Sequence, residues 1–416
     1  MPEEPALITL GCRLNIYESE VMRRHLAQAE LRDIVVINSC AVTGQAEKQT
    51  RQAIRKARRA RPSACVVVTG CAAQIHPQAY AAMPEVDHVL GNDVKMDLAT
   101  WQNLRERRVH ISALAQEALP PMPLVQGFEG MTRAFVQVQN GCDHRCSFCL
   151  VPKGRGASRS VPLESLIAQG ALLCDQGYPE ITLTGVDICA YGKDLSGSPT
   201  LGGMIRALLK AVPSLKRLRL SSLNPAAIDE DLWALAGEEL RLMPHWHLSV
   251  QSGDDKILRR MARRHKRDDV IKLCQRARAL RPDMVFGADL IAGFAGETDQ
   301  MHAQTMALVK EAGLTWLHVF PFSARAGTAA ARMGGQVENA VRKARAQDLR
   351  NLSTRAVKLH LEQLIGQELA VHVEQPYLGR APSFAEVLFD SPQKVGDVVQ
   401  ARGYERKGIQ MKATVL

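Results

Sequence analysis

Short apolar runs rich in β-branched residues alternate with amphipathic stretches along most of this 416-residue chain. In the first part, strand-like runs lie at residues 6–10, 34–38, 64–69 and 88–90, and helical stretches lie at 17–29 and 45–60. Strands that alternate with helices are typical of parallel sheets covered by helices. The pattern therefore predicts an open parallel α/β domain over residues 1–115.

The same alternation continues in the middle of the chain. Six strand-like runs lie at residues 133–139, 180–185, 215–221, 245–250, 284–291 and 314–320. Six consecutive strand–helix units predict a partial (βα)6 barrel over residues 131–335, and not the complete eightfold form. A segment rich in proline and glycine, residues 116–130, reads as the linker before it.

The end of the chain has a different pattern. Residues 336–365 form a long, basic helical stretch, and short alternating strands follow at 369–374, 386–389, 398–402 and 410–415. Strands of this length that are separated by proline and glycine predict a small β-barrel over residues 366–416. The fold class is therefore α/β with an all-β domain at the end.

Composition limits the function. No run of eighteen apolar residues indicates a membrane span, and the first residues lack the basic region of a signal peptide, so we expect a cytoplasmic protein that contacts no membrane. Ten cysteines in a reducing compartment favour metal binding or catalysis over disulfides. The net charge of +10 attracts polyanions.

Three cysteines follow the first strand of the predicted barrel with the spacing C-x3-C-x2-C: Cys142, Cys146 and Cys149. Thiolates are the usual ligands of iron–sulfur clusters, and three ligands on a four-iron cluster leave one iron open to a small molecule. Structural zinc is the competing interpretation, but it requires four ligands and no second cysteine pair lies nearby in the sequence. The spacing favours a cluster.

Three further cysteines follow strands of the N-terminal domain: Cys12, Cys40 and Cys71. Ligands of open parallel sheets gather outside the carboxyl ends of the strands, so these thiols predict a second cluster. Gly11 and Gly70 precede two of them and permit close backbone approach. The other thiols are expected to pack without chemistry: Cys65, Cys174, Cys189 and Cys274.

Basic residues occur in three runs, at 51–61, 259–267 and 342–358. A single run is usually a solvated surface, but three runs together with a terminal β-barrel favour contact with the phosphates of a structured RNA. In the first run, the predicted RNA-binding residues are Arg55, Lys56, Arg58 and Arg59.

Both cysteine triplets and their surroundings resemble the radical S-adenosylmethionine methylthiotransferases over almost the whole chain. The resemblance rests on residues 9–20, 38–43, 69–71, 140–149, 155–160, 183–186, 247–253, 287–298 and 318–323, and on a terminal barrel similar to the TRAM domain. The opening motif is most similar to the branch that acts on N6-threonylcarbamoyladenosine beside the tRNA anticodon. Two positions depart from the family pattern, with Ala295 in place of proline and Val161 in place of arginine.

The resemblance implies two [4Fe–4S] clusters, an auxiliary one on Cys12, Cys40 and Cys71 and a radical-generating one on the second triplet. S-adenosylmethionine is then both methyl donor and radical source, and a 5′-deoxyadenosyl radical removes hydrogen from C2 of the nucleoside, which takes up a methylthio group. An electron donor such as flavodoxin or ferredoxin is also implied. The sulfur donor stays open.

Residues for the cofactor are predicted at the carboxyl ends of barrel strands, where barrel sites lie. They are Thr184, Gly185, Ser221, Gln251 and Ser252, with Phe148 added because it fits the motif of the second triplet. The motif at 155–160 adds Arg155 and Arg159 to the predicted RNA-binding residues.

Three alternatives remain at this point. The substrate could be isopentenyladenosine in tRNA, or a ribosomal protein, although a peptide substrate would favour an acidic C-terminal barrel and this one carries several lysines and arginines. The chain could also be a non-catalytic iron–sulfur RNA-binding or redox protein. A fourth ligand near Cys142 would favour that interpretation, and the sequence offers none.

Overall fold

The computed structural model describes residues 3–115, 119 and 123–416. Five parallel strands form the N-terminal sheet in sequential order: β1 (Ala6–Thr9), β2 (Ile34–Ser39), β3 (Cys65–Gly70), β4 (His88–Leu90) and β5 (Val109–His110). The helices of this domain are α1 (Arg13–Gln28), α2 (Gly44–Ala60), α3 (Cys71–Ile75), α4 (Pro77–Ala81) and α5 (Leu98–Gln102). The predicted parallel α/β domain is confirmed, and β5, which is too short to give a periodic signal, was missed.

The central domain contains six parallel strands, β6 (Arg133–Gln137), β9 (Glu180–Thr184), β10 (Arg217–Leu220), β11 (His245–Gln251), β12 (Val285–Ala292) and β13 (Leu314–Pro321). A short antiparallel pair, β7 (Gln139–Asn140) and β8 (Arg159–Ser160), follows β6. The helices are α6 (Val151–Arg155), α7 (Leu163–Asp175), α8 (Leu201–Ala211), α9 (Glu230–Glu238), α10 (Asp255–Arg260), α11 (Arg267–Leu280) and α12 (Asp299–Glu311).

The six strands curve into a partial barrel. Strands β10, β9 and β6 form one sheet and β11, β12 and β13 another. Backbone hydrogen bonds close the gap, from Leu223 N to His247 O at 2.7 Å and from Ser249 N to Leu223 O at 2.9 Å. The predicted partial barrel is confirmed. Its interior is called the lumen below.

Helix α13 (Asn339–Gln363) connects the central domain to a closed five-stranded barrel. Its strands are β14 (Glu368–Gln375), β15 (Leu378–Arg380), β16 (Glu386–Phe389), β17 (Val398–Lys407) and β18 (Gln410–Val415). The predicted small β-barrel is confirmed. The sequence missed β15 and ended β17 five residues early, because β17 continues through exposed charged residues that give no apolar alternation.

All three domains pack together. Tyr17 and Val21 of α1 belong to the core of the central barrel. From the other end, a C-terminal-barrel loop places Phe384 in the lumen, where its ring stacks on His245, the first residue of β11, at a centroid distance of 4.8 Å. Phe384 has a positive φ of 75°, a conformation that costs a bulky residue free energy and persists only where surrounding contacts enforce it. The C-terminal barrel therefore closes the lumen at the amino ends of the strands.

Two sequence expectations need comment. Residues 116–118 and 120–122 of the predicted linker lie outside the described residues. Within the described ranges, no helix combines the length and apolar character that a membrane crossing requires.

Candidate active site

The first cysteine triplet lies at the carboxyl edge of the N-terminal sheet. Cys12 precedes α1, Cys40 follows β2, and Cys71 begins α3. The thiols are close enough that the charges of Cys12 and Cys71 act on Cys40. Gly11, at φ +98°, makes this possible, since a Cβ there would lie 2.7 Å from the Cβ of Cys40. The backbone thus leaves room for three converging thiols.

The second triplet lies in the loop between β7 and α6. Cys142 N donates to Gly156 O at 3.0 Å, and Cys149 N donates to Cys146 O at 3.1 Å, which fixes the loop. The guanidinium of Arg263 donates to Cys146 Sγ at 3.6 Å. Hydrogen bonds to a thiolate sulfur stabilise its negative charge and tune a bound cluster.

Burial raises the pKa of three of the six thiols, to about 11 for Cys40, about 12 for Cys142 and about 11 for Cys149. Without a bound cluster, those three thiols are neutral near neutral pH. Since metals bind thiolates, iron must displace these protons when a cluster assembles.

The spacing of the thiols fits a cluster better than a single ion. A tetrahedral zinc with Zn–S bonds of about 2.3 Å holds its sulfurs about 3.8 Å apart. Among the described residues, neither triplet brings all three of its sulfur atoms within 4.8 Å of one another. A four-iron cluster spreads three thiolates over three irons, so the wider spacing and the all-sulfur donor set suit it.

The two triplets face each other across the domain interface. Helix α3, which begins at Cys71, packs on α6, which follows Cys149. A Cβ on Gly154 would lie 3.3 Å from the Cβ of Cys71, and the charge of Cys71 acts on the Cys149 thiol. Groups bound at the two triplets would therefore share one chamber, at the carboxyl ends of the central strands.

A buried ion network joins the domains beside this chamber. Glu18 of α1 accepts from Arg155 at 2.7 and 3.1 Å and from Lys95 at 2.7 Å, and all three side chains are at most 2 % exposed. Burial alone would raise the pKa of Glu18, but the two cations together lower it to about 2. Asn92, which accepts from Lys95 at 2.7 Å, donates to Cys71 Sγ at 3.6 Å. The network thus connects both domains to the first triplet.

The expected RNA contacts of Arg155 and Arg159 are corrected by their burial. Arg155 is 2 % exposed and bound to Glu18, and Arg159 is 3 % exposed and bound to Asp93 at 2.8 Å. Neither guanidinium can reach a phosphate on the surface. Both instead hold the central domain against the N-terminal domain.

Helix α2 carries the other four predicted RNA-binding residues. Arg58 is occupied by Asp87 at 2.6 Å and by backbone carbonyls, among them Ala64 O at 2.8 Å. Arg55, Lys56 and Arg59 are exposed, and Arg55 lies 3.7 Å from Glu85. The exposed part of the predicted surface is therefore Arg55, Lys56 and Arg59.

The residues predicted for the cofactor divide into two groups. Thr184, Ser221 and Gln251 lie at the carboxyl ends of adjacent strands, and the buried Ser221 Oγ has no hydrogen-bond partner among the described residues. Gln251 has a positive φ of 74°, a strain typical of binding sites. The backbone of Gly185 passes so close to Gln139 O that a Cβ would lie 2.7 Å from it.

The remaining two face other partners. Ser252 Oγ accepts from Asp254 N at 3.2 Å and lies 3.4 Å from Thr305 Oγ1, so it stabilises its own loop. Phe148 packs edge-on against Phe294 at a centroid distance of 6.3 Å, in a small apolar cluster below the second triplet. Both residues shape the site without offering it a free polar group.

The lumen contains polar residues that the sequence interpretation passed over. Asp289 Oδ1 lies 2.9 Å from His247 Nε2 and 3.3 Å from His318 Nδ1, and these two histidines outweigh the effect of burial and hold the pKa of Asp289 below its ordinary value. Arg13, directly after Cys12, also reaches the lumen, where burial and then Arg133 and Arg219 lower its pKa to about 10. All four lie within the family-like motifs, which gave the only sequence signal for them.

The two departures from the family pattern lie inside the protein. Val161 is 2 % exposed and packs in the core of the central barrel, so it does not remove a cation from an exposed face. Ala295 is fully buried, and its carbonyl accepts from Arg260 Nε at 2.9 Å.

Comparison with known proteins adds the family. The model of the radical SAM superfamily matches residues 136–309, and that of uncharacterized protein family UPF0004 matches residues 5–91. Curated relatives named threonylcarbamoyladenosine tRNA methylthiotransferase MtaB include that of Rickettsia prowazekii, 46 % identical over 95 % of this chain and 93 % of its own. The relative of the same name from Thermotoga maritima is 36 % identical over 88 % of this chain and 85 % of its own length.

Solved structures agree on the fold. The radical S-adenosylmethionine methyltransferase TsrM from Kitasatospora setae superposes with a TM-score of 0.55 at 16 % identity, covering 77 % of this chain and 72 % of its own. The cobalamin-dependent S-adenosylmethionine radical enzyme OxsB superposes with a TM-score of 0.53 at 10 % identity, covering 85 % of this chain and 56 % of its own. The curated relatives match this chain over most of its length and at high identity. The chain therefore belongs to the threonylcarbamoyladenosine tRNA methylthiotransferase family of radical SAM enzymes.

Proposed function

We propose that this enzyme installs a methylthio group at C2 of N6-threonylcarbamoyladenosine in tRNA, using S-adenosylmethionine and two [4Fe–4S] clusters. Radical SAM enzymes carry one such cluster, which the triplet Cys142, Cys146 and Cys149 would hold. That the chain holds a second cluster is part of the proposal. The observation that carries it is the placement of a second triplet, Cys12, Cys40 and Cys71, against the first across one domain interface.

The cofactors and the side chains around them have different roles in this reaction. When bound, the cofactors supply a carbon-centred radical at the central triplet and sulfur at the N-terminal one. Arg263 and Asn92 donate hydrogen bonds to Cys146 and Cys71, one at each triplet, and these bonds would stabilise the negative charge on the sulfur ligands of a cluster. The Glu18 network fixes α1 against α6, which keeps the two triplets at one separation. C2 of an adenine carries no acidic proton, so a general base would not serve in place of the radical.

A flipped base must enter the chamber, because C2 of a stacked base is out of reach. The exposed cations Arg55, Lys56 and Arg59 of α2, together with the TRAM-like C-terminal barrel, are proposed to hold the phosphates of the anticodon arm. A low-potential donor such as flavodoxin or ferredoxin would deliver the electron, and we place the reaction in the cytoplasm, where tRNA and these donors meet.

The test uses reconstituted protein and an anticodon stem-loop RNA that contains N6-threonylcarbamoyladenosine. The parent should form the 2-methylthio nucleoside, detected by mass spectrometry after digestion. The triple variant Cys12→Ala, Cys40→Ala, Cys71→Ala should still release 5′-deoxyadenosine under reduction but form no methylthio product. The matched control, Cys65→Ala, Cys174→Ala, Cys274→Ala, removes three thiols outside both triplets and should retain product formation.

Two outcomes would contradict the proposal. Methylthio product from the first triple variant would remove the sulfur-transfer role of the N-terminal triplet. Product on RNA with isopentenyladenosine, or on a ribosomal protein, without product on the threonylcarbamoyl RNA would assign a different substrate.

A further inference from the structure

Four guanidinium groups surround the ring of Phe384 in the lumen. The Cζ atoms of Arg380, Arg219, Arg133 and Arg13 lie 4.7, 5.3, 5.7 and 6.0 Å from the ring centroid. An aromatic face attracts a cation, but this attraction is worth only about 0.5–2 kcal/mol and does not neutralise four charges. Each of these arginines therefore needs an anion nearby.

Three of the four have one. Arg133 Nε lies 2.9 Å from Glu374, Arg380 Nε lies 2.8 Å from the same carboxylate, and Arg219 Nε lies 2.8 Å from Glu180. Arg13 differs, since no carboxylate of the described residues lies within ion-pair distance of it and no described hydrogen bond uses it. It is a cation inside the lumen for which the described part of the chain provides no carboxylate partner.

The carboxylate best placed for Arg13 is already engaged. Asp289 influences the charge of Arg13, but its Oδ1 is shared by His247 and His318. These three side chains have the donor types of a metal site. Arg13 opposes a divalent cation there, because burying further positive charge beside a guanidinium that has no carboxylate partner is costly. A group that binds Arg13 is therefore expected to be an anion.

The location of Arg13 limits which anions could bind it. Its backbone follows Cys12 directly, and its guanidinium lies deeper in the lumen, 6.0 Å from the ring of Phe384, so an anion bound to it would lie below the chamber of the two triplets. RNA phosphates stay on the backbone when a base flips into a pocket, whereas substituents of the base travel with it. A threonylcarbamoyl substituent ends in a carboxylate, and a guanidinium binds a carboxylate with two parallel hydrogen bonds.

Further polar atoms could hold the rest of the substituent. The hydroxyl of Thr182 and Oε1 of Gln137 are buried and lack a hydrogen-bond partner among the described residues. Thr182 pairs in register with Arg219, and Gln137 with Thr184, so these atoms extend from the arginines towards the carboxyl ends of the strands. A chain of hydroxyl, amide and carboxylate groups can satisfy such a row of polar atoms.

We propose that Arg13 binds the carboxylate of the N6-threonylcarbamoyl group and thereby selects this nucleoside over adenosines with an uncharged N6 substituent. The inference rests on the proposed function and identifies the residue that sets its specificity. Losing one charge-assisted hydrogen-bonded pair changes kcat/KM about 10- to 150-fold.

The experiment compares three anticodon stem-loop RNAs that differ only at the target nucleoside: threonylcarbamoyladenosine, its methyl ester and isopentenyladenosine. Reconstituted parent, Arg13→Gln, Arg13→Lys and the control Arg32→Gln are assayed for kcat and KM. Arg32 is an exposed arginine paired with Glu4 at 2.7 Å. Iron content and RNA-independent release of 5′-deoxyadenosine are measured on every sample to show that the clusters are intact.

The parent and Arg32→Gln should favour the acid over the ester about 10- to 150-fold, Arg13→Gln should lose this preference, and Arg13→Lys should recover part of it. Equal use of acid and ester by the parent would overturn the proposal without any variant. An equal loss by Arg13→Gln on both RNAs would show that Arg13 does not recognise the carboxylate and would also overturn it. No product from the parent on the acid RNA would instead refute the proposed function itself.

Discussion

The buried carboxylate of Glu18 allows a sharp test of how the two domains are held together. The substitution Glu18→Gln keeps the shape of the side chain and removes its charge, which leaves Lys95 and Arg155 as buried cations without an anion. Breaking a buried pair in this way costs about 3–5 kcal/mol. The control, Glu4→Gln, breaks a pair with the same 2.7 Å distance, but Glu4 is 79 % and Arg32 56 % exposed, so its cost is about 0–1 kcal/mol.

Urea unfolding of the cluster-free protein measures the difference. Tryptophan fluorescence follows the unfolding, and one of the four tryptophans, Trp101, donates to Lys95 O at 2.8 Å and so lies at the network. With a slope of about 2–3 kcal/mol per molar urea, Glu18→Gln should lower the midpoint by about 1–2.5 M, and Glu4→Gln by about 0.5 M at most. Equal midpoints for the two variants would refute the reasoning that burial, and not the ion pair itself, makes Glu18 important.

The pH dependence has a defined sign. The pKa of Glu18 is lowered from 4.5 to about 2, so its contribution is present above pH 4.5 and is lost as the pH falls towards 2. In the parent, acid should therefore reduce the stability of the network in this window. Glu18→Gln should lack that component, while Glu4→Gln should retain it.

Two further predictions concern the clusters and RNA. Replacing Cys142, Cys146 and Cys149 by alanine should halve the iron of reconstituted protein, from about eight to about four per chain, because the N-terminal triplet is untouched; full iron content measured by chemical analysis would contradict the two-cluster assignment. Neutralising Lys56 and Arg59, which are exposed, should weaken tRNA binding and flatten its dependence on salt, whereas Arg58→Gln should leave the slope nearly unchanged because Arg58 is bound to Asp87. Filter-binding titrations over a salt series distinguish the two, and identical slopes for all variants would remove α2 from the RNA-binding surface.

The sequence predicted the α/β architecture with a terminal β-barrel, because strand–helix alternation runs through the first two domains and short alternating strands replace it at the end of the chain. It also placed both triplets at strand ends, since parallel strands send their carboxyl ends to one edge. It misjudged Arg155, because the carboxylate that buries this residue, Glu18, lies 137 positions away in the chain. Arg58, which the sequence grouped with the other cations of α2, pairs with Asp87, 29 positions away in the chain.

The lumen was harder to predict than the cysteines. Arg13, His247, Asp289 and His318 come from four separate elements, and each looks ordinary in its own segment. Their importance comes from enclosure, which depends on how the strands curve and on Phe384 arriving from the C-terminal barrel. No local pattern carries that information, although the family-like motifs contained all four polar residues.

The loop that carries Phe384 has a consequence for protein engineering. Here Ala381 O and Pro382 O accept hydrogen bonds from Arg219 at 2.8 and 3.0 Å, and the neighbouring phenyl ring forms one wall of the lumen. A chimera with a foreign C-terminal barrel would open this wall to water. The C-terminal barrel and the lumen are therefore one structural unit, and a transplanted barrel must carry this loop together with the arginine that binds it.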